Sequence, residues 1–212
     1  MLSKGHAVPA LYGILAEVGI LDPSRLAHHL SIDDDIYWHP NRGVPGVEFH
    51  FGSLGHGLPV AVGVALDGRM RRSGRRVVVI TGDGELDEGS NWEALLLAAA
   101  YRLDNLVILV DRNVLQANLP TEDLIPLEPL DAKFASFGCA VARVDGHDFS
   151  ALERTFSSLM LETGRPNAII VDTVRGRGLP TIEGRADRWF YQFSELEVET
   201  ALAELRASAG DR

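Results

Sequence analysis

Apolar positions along this chain come in two patterns. Short, nearly uninterrupted runs cover 76–81 (Val77, Val78, Val79, Ile80), 106–111, 139–144 and 167–174. Runs of this length, continuously apolar, read as parallel strands buried on both faces. Between them lie segments with apolar residues at helical spacing. Leu11, Ile14, Leu15 and Val18 make a helix over 7–19 that Gly19 stops. Asp22-Pro23-Ser24 opens a second short helix through Leu30. Further helices are predicted over 57–72, 88–102, 130–137, 149–163 and 194–207. The first of these ends in Arg69, Arg71 and Arg72, the charge a helix C-terminus favours. Strands alternating with helices predict an α/β fold, a parallel sheet sandwiched by helices.

One stretch breaks the alternation. Residues 31–57 carry Pro40, Gly43, Pro45, Gly46, Gly52, Gly55 and Gly57, which interrupt any regular element. A loop this long inside a compact domain is functional or disordered. Its Trp38, Phe49 and Phe51, with several histidines, argue for order.

The length of 212 residues fits one large domain, and 46% hydrophobic residues suffice to fill its core. Acids outnumber bases 30 to 20, a formal charge of −10, which excludes a nucleic-acid duplex as the main partner. The lone Cys139 excludes an internal disulfide and a cysteine-built metal cluster. No apolar run approaches the ~20 residues of a membrane span, and no signal-peptide pattern opens the chain. These features predict a soluble, cytoplasmic protein with no membrane partner.

The chemistry concentrates where two predicted strands end. Gly82-Asp83-Gly84-Glu85 closes the run at 77–80, and Asn113 follows the run at 106–111, 30 residues after Asp83. Strand, helix and strand fit between them, so both residues should emerge at the carboxyl ends of neighbouring parallel strands, where open α/β sheets bind ligands. Two cofactors are conceivable. A nicotinamide dinucleotide needs Gly-x-Gly-x-x-Gly, but the third position here is Asp87. Only Asp111 imitates the ribose-binding acid of that fold. Asp83, Glu85, Asp87 and Glu88 would also repel a bare pyrophosphate. A divalent cation removes the conflict. The Asp83 carboxylate, the Asn113 amide oxygen and the Leu115 main-chain carbonyl, with diphosphate oxygens, complete the octahedron that Mg²⁺ demands, and Gly82 and Gly84 let the backbone approach the phosphates. A strand-end turn of this kind should lie outside the core, so Asp83→Ala should keep its fold.

At this point several ordered motifs resemble one family. They are Leu2-Ser3-Lys4-Gly5-His6-Ala7, His39-Pro40, Pro45-Gly46-Val47-Glu48, Gly52-Ser53-Leu54-Gly55-His56-Gly57, Gly82-Asp83-Gly84-Glu85-Leu86 with Glu88-Gly89 and Trp92-Glu93-Ala94, and Leu103-Asp104-Asn105-Leu106 before Asn113. From Leu2 to about residue 178 the chain is similar to the N-terminal half of transketolases. The resemblance implies a thiamine-diphosphate-binding fold, its diphosphate-binding domain spanning 1–212. It implies thiamine diphosphate with Mg²⁺, or Ca²⁺ or Mn²⁺ in its place. Asp83, Asn113 and Leu115 match the metal ligands, and Gly82, Gly84 and Glu85 the diphosphate turn. Gly52 and Leu54 match a turn that meets the aminopyrimidine. His6 and His39 match histidines around the cofactor and the reacting carbons, and His56 stands where some relatives carry glutamine. Glu88 and Glu93 match acids linking paired active sites across a dimer.

The chain departs from the family pattern in three ways. The usual leading segment of some tens of residues, with one histidine, has no counterpart before Ser3. Trp189-Phe190-Tyr191 stands where relatives often carry Trp-His-Gly, so a diphosphate contact is expected to be lost at Phe190 or moved elsewhere. The half that binds the pyrimidine, and that supplies the activating glutamate, is absent. The resemblance therefore implies one subunit of a split transketolase. Its partner would be a pyrimidine-binding (C-terminal) subunit in a heterotetramer, and its substrate a sugar or sugar phosphate that donates a two-carbon ketol unit to an aldehyde. The alternatives are a non-catalytic scaffold or a component of another thiamine-dependent ligase or dehydrogenase.

Overall fold

A computed structural model of the chain describes residues 1–159 and 164–210. Four parallel strands form its sheet: β1 (Val77–Gly82), β2 (Leu106–Arg112), β5 (Ala140–Asp145) and β6 (Asn167–Asp172), in the order β1-β2-β6-β5. Successive side chains on a strand point to opposite faces. Val77 and Val79 of β1 join Leu106, Ile108 and Val110 of β2 in one core, while Val107 with Ile169 of β6 forms another. Both faces are thus apolar, which is why these strands read as continuous runs rather than alternating ones.

Helices α2 (Gly57–Met70), α3 (Gly89–Ala100) and α5 (Leu130–Ser136) supply Leu58, Leu95 and Phe134 to the first core. Helix α6 (Phe149–Leu159) brings Leu152 and Phe156 to the second. The helix expected over 149–163 is described as far as Leu159, and its last four positions lie outside the described residues. A closing helix, α7, covers Glu195–Gly210.

Beside the sheet, α1 (Val8–Glu17) buries Val8, Tyr12 and Leu15 against Leu21, Ile36 and Val44. This satellite core orders the long loop, and the Tyr12 hydroxyl donates to the His39 carbonyl at 3.2 Å. The short helix after Asp22 is a 3₁₀ helix, Pro23–His28, capped by the Asp22 side chain on the Ser24 amide. Residues 1–3 run parallel to β1: the Ser3 amide donates to the Ile80 carbonyl at 2.8 Å, and the Ile80 amide to the Met1 carbonyl at 2.9 Å.

The exits of both β1 and β2 carry structure that bears on function. The segment Gly84–Asp87 is a 3₁₀ turn, so α3 starts at Gly89. After β2 the chain forms a miniature hairpin, β3 (Leu115–Gln116) against β4 (Leu119–Pro120), and then one helical turn, α4 (Thr121–Leu124). Two-residue strands carry no periodicity to read.

Candidate functional site

The parallel register sets Gly82 opposite Asp111. The turn after β1 and the loop after β2 therefore leave the sheet side by side, as the spacing of Asp83 and Asn113 predicts. The Asp83 amide donates to the Asp111 carbonyl at 3.2 Å and ties the two exits together. Gly84 is required by close approach, since a Cβ there would meet Gln116 Cγ at 2.7 Å.

Asp83 does not lie on an exposed turn. It is 2% exposed, and so is Arg112, whose Nη1 donates to Asp83 Oδ2 at 3.0 Å. The Val114 amide at 2.8 Å and the Thr121 hydroxyl at 3.4 Å donate to the same oxygen. The other oxygen, Oδ1, accepts only the Gly84 amide, at 2.8 Å. Burial raises the Asp83 carboxyl above its usual range, and the Arg112 guanidinium works against that rise. The expectation that this turn lies outside the core is therefore corrected: Asp83 is buried, and Asp83→Ala would remove one of three carboxylates paired with the buried Arg112.

Arg112 also donates to Glu122 at 2.6 Å and Glu128 at 3.2 Å, and Arg143 joins Glu128 to Asp172 at the end of β6. Burial pushes the Glu128 carboxyl up, but hydrogen bonds from Arg143, the Leu130 amide and Arg112 carry it down to about 2. A continuous ionic net thus spans the carboxyl ends of β2 and β6.

Glu85 does something else. One of its oxygens accepts from the Ser3 hydroxyl and from the Gly55 amide at 3.0 Å, and the other from the Gly82 amide at 3.0 Å. It joins the leading segment and the glycine-rich loop to the turn after β1. Its carboxylate acts as an anchor, and Glu85 also reaches the wall of the cavity described below.

The loop after β2 is bent hard. Val114 has φ 60° and Ala117 φ 49°, left-handed values that a β-branched residue rarely adopts. Such residues cost on the order of 1–3 kcal/mol each and persist where surrounding structure fixes them. Here the Val114 amide is fixed by Asp83, and Asn113 Oδ1 accepts the Leu115 amide at 3.1 Å. The carbonyls of Leu115 and Ala117 accept from Arg175 at 2.9 and 2.5 Å. Arg175 follows β6, and its guanidinium also lies 5.0 Å from the centre of the Trp189 ring.

These loops surround a cavity of about 1060 Å³ that runs under Ile80 and Leu109. Sites of this size hold cofactors. Lys4, His6, Leu54, Gly82, Asp83, Gly84, Asn113, Leu115 and Arg175 all reach its wall. Lys4 pairs with Asp111, which also accepts from the Thr173 hydroxyl. Asp111 is thus held by a protein partner on each oxygen. His6 packs edge-on against Trp189 at 5.0 Å. Burial lowers the His6 pKa, and the charges of Lys4, His39 and Arg175 lower it further, so the ring is neutral near pH 7.

His39 and Gly52 line a smaller cavity next door. His56, Glu88 and Glu93 reach neither cavity wall. Phe190 is 80% exposed, while its neighbour Trp189 lines the larger cavity. Arg112 and Arg175 escaped the sequence reading. Arg175 left a usable signal: it follows the last strand, at the same sheet edge as Asp83.

Among the described residues, no group of three or more His, Cys, Asp or Glu side chains is arranged for a metal ion. The oxygens that could hold a cation here are the Asp83 carboxylate, the Asn113 amide oxygen and the Leu115 carbonyl. Each of Asp83 Oδ1, Asn113 Oδ1 and Leu115 O has one protein donor and two lone pairs, so each retains one. Three hard oxygens suit Mg²⁺ when the bound ligand supplies the rest.

An acid, an amide and a glycine turn beyond the carboxyl ends of β1 and β2, over a cavity edged with cations, define a cofactor-binding α/β domain. Comparison with known proteins says which. Residues 1–206 match the family described as transketolase, thiamine diphosphate binding domain, and the chain belongs to that family. It is 43% identical over 206 residues to an apulose-4-phosphate transketolase subunit from Actinobacillus succinogenes, covering 96% of this chain and 74% of that protein. It is 35% identical to a 6-deoxy-6-sulfo-D-fructose transketolase subunit of a Clostridium species, covering 97% of this chain and 75% of that protein. The crystal structure of Campylobacter jejuni transketolase superposes with a TM-score of 0.88 at 26% identity, over 96% of this chain. This chain spans 33% of that longer protein. Thiamine diphosphate with a divalent metal is the cofactor of this domain.

Proposed function

We propose that this chain is the diphosphate- and metal-binding subunit of a two-component transketolase that moves a two-carbon ketol unit from a ketose to an aldehyde. The observation that carries the reading is the placement of Asp83 and Asn113 on adjoining strand exits beside one cofactor-sized cavity. Thiamine diphosphate supplies the thiazolium carbon that carries the transferred unit. The chain's own residues do the rest. Asp83, Asn113 and Leu115 would hold the cation, and Gly82 and Gly84 would give the diphosphate room. Lys4 and Arg175 bring positive charge to the cavity wall. His6, neutral and half-buried, can accept a proton from a substrate hydroxyl at a ring nitrogen. His39, Gly52 and Leu54 close the side nearest the long loop. Glu88, Glu93 and His56 belong to the outer face, where a second subunit would meet them.

Two features support a partner that brings the pyrimidine-binding half. The relatives from Actinobacillus and Clostridium are named as subunits. Helix α3, which carries Glu93, exposes Leu96 and Leu97, and Tyr101 follows its end, an apolar face of the kind that marks protein contacts. A heterotetramer is the assembly we propose. The names of those relatives, one a phosphate and one a sulfonate, suggest a ketose with a terminal anionic group. No helix among the described residues is long and apolar enough to cross a membrane. The buried thiol of Cys139, pushed up to about 12 by burial, is an inert core group.

The test is reconstitution: ketol transfer from a ketose phosphate measured with this chain, with its partner, and with both, in thiamine diphosphate and Mg²⁺. Turnover by both together and by neither alone is expected. Full turnover by this chain alone would refute the two-component reading. A complex that binds no cofactor would favour the scaffold.

A further inference from the structure

The Arg175 guanidinium sits where the proposed metal site needs an open oxygen. It bonds Leu115 O at 2.9 Å and Ala117 O at 2.5 Å, and Leu115 O is the third of the three oxygens assigned to the cation. The group is half-buried, and the carboxylates of Asp83 and Asp111 act on its charge. The Trp189 ring backs it at 5.0 Å. The loop it clamps is the strained one, with Val114 at φ 60° and Ala117 at φ 49°. A monovalent guanidinium thus lies among the oxygens and acidic charges that a divalent ion would use.

We propose that Arg175 is a resident cation of the metal site: in the cofactor-free chain it holds the Leu115 and Ala117 carbonyls, and its charge competes with a divalent ion for that place. The inference rests on the metal assignment made above. Its physical basis is competition. A guanidinium bonded to Leu115 O takes one of that oxygen's two lone pairs and places like charge beside an incoming dication. Releasing it breaks two charge-assisted hydrogen bonds, which opposes binding of the metal on its own. The freed guanidinium remains at the cavity wall, where an anionic ligand arriving with the metal would receive it. The fork shape matters, because one guanidinium bridges two carbonyls that an ammonium would hold less well.

The test uses Mn²⁺ alone, titrated into the full chain, with free ion followed by electron paramagnetic resonance. Arg175→Met keeps the apolar stem that packs on Trp189 and removes the charge. It should bind Mn²⁺ on the order of tenfold more tightly than the unsubstituted chain. Arg175→Lys should fall between the two, and it serves as the readout if the methionine variant melts early. Equal or weaker Mn²⁺ binding by Arg175→Met, including no measurable binding by either chain, would overturn the proposal. Adding Asp83→Asn to Arg175→Met separates the two levels. Mn²⁺ affinity that depends on Asp83 but not on Arg175 sinks this inference and spares the metal assignment. Affinity indifferent to Asp83 sinks both.

Discussion

Asp83 and Glu85 lie two residues apart in one turn, each 2% exposed, yet they are held by opposite means. Glu85 is met by two amides and a hydroxyl and by no cation. It is a joint: it fastens Ser3 and Gly55 to the end of β1, so the two segments that frame the cavity share one anchor. Asp83 is met by a guanidinium as buried as itself, on one oxygen only. The other oxygen keeps bonding capacity toward the loops of the site. Within a single turn, one acid is tied by neutral donors and the other is balanced by a buried cation, the arrangement expected of the proposed metal ligand. The difference lies in their surroundings, since both are plain carboxylates at the same depth.

Removing Arg112 tests this division most severely. Arg112→Met leaves Asp83 buried without its counter-charge, which should cost about 3–5 kcal/mol. Chemical denaturation would read this as a lower midpoint at unchanged slope. A loss below about 1 kcal/mol would mean that the ion pair does not hold the site together. Glu85→Gln comes next. An amide offers one acceptor oxygen where the anchor uses two, so one bond to a charged acceptor is lost and the others weaken. The expected loss is about 2 kcal/mol, with metal affinity little changed. A variant that loses Mn²⁺ binding while keeping its stability would reverse the roles assigned to the two acids.

His6 faces Lys4 and Arg175 between these anchors, and its effect is smaller. Its folded pKa lies below the ordinary 6.5 for two reasons: burial first, then neighbouring positive charge. The unfolded chain therefore binds the proton more readily. The His6 contribution to stability is complete above 6.5 and is lost as pH falls from there through the lower folded pKa. An NMR titration of the imidazole should show a midpoint under 6.5. A midpoint above that value would mean that the Asp111 carboxylate dominates. The smallest effect is expected at Phe190, which is 80% exposed and off the cavity wall. Phe190→His should change stability by no more than about 0.5 kcal/mol and leave cofactor affinity unchanged. A clear gain in affinity would restore the view that a diphosphate contact was lost there.

Much of the frame was legible in the sequence because its signals are local. The runs at 77–80 and 106–110 mark strands buried on both faces. The 30 residues between Asp83 and Asn113 fit one parallel crossover, and that fixes the sheet edge. What was not legible is the partnership of side chains far apart in sequence. Lys4 and Asp111 meet across 107 positions, and Arg175 reaches Leu115 across 60. Arg112 reads as the polar end of a strand, and nothing local says that it turns inward to three acids. Glu85 follows the glycine turn and lines the cavity, but its ties to Ser3 and Gly55, 82 and 30 positions away, leave no local signal. The 115–120 hairpin escaped because two-residue strands have no period.

The central claim is that one divalent ion sits between the exits of β1 and β2. Crystals of the complex grown with thiamine diphosphate and Mn²⁺ would test it most directly, through the anomalous signal of the metal. The account predicts a single peak within coordination distance, roughly 2.0–2.2 Å, of Asp83 Oδ1 and Asn113 Oδ1. A bound cofactor with its metal elsewhere, or with Asp83 still holding only protein donors, would contradict it.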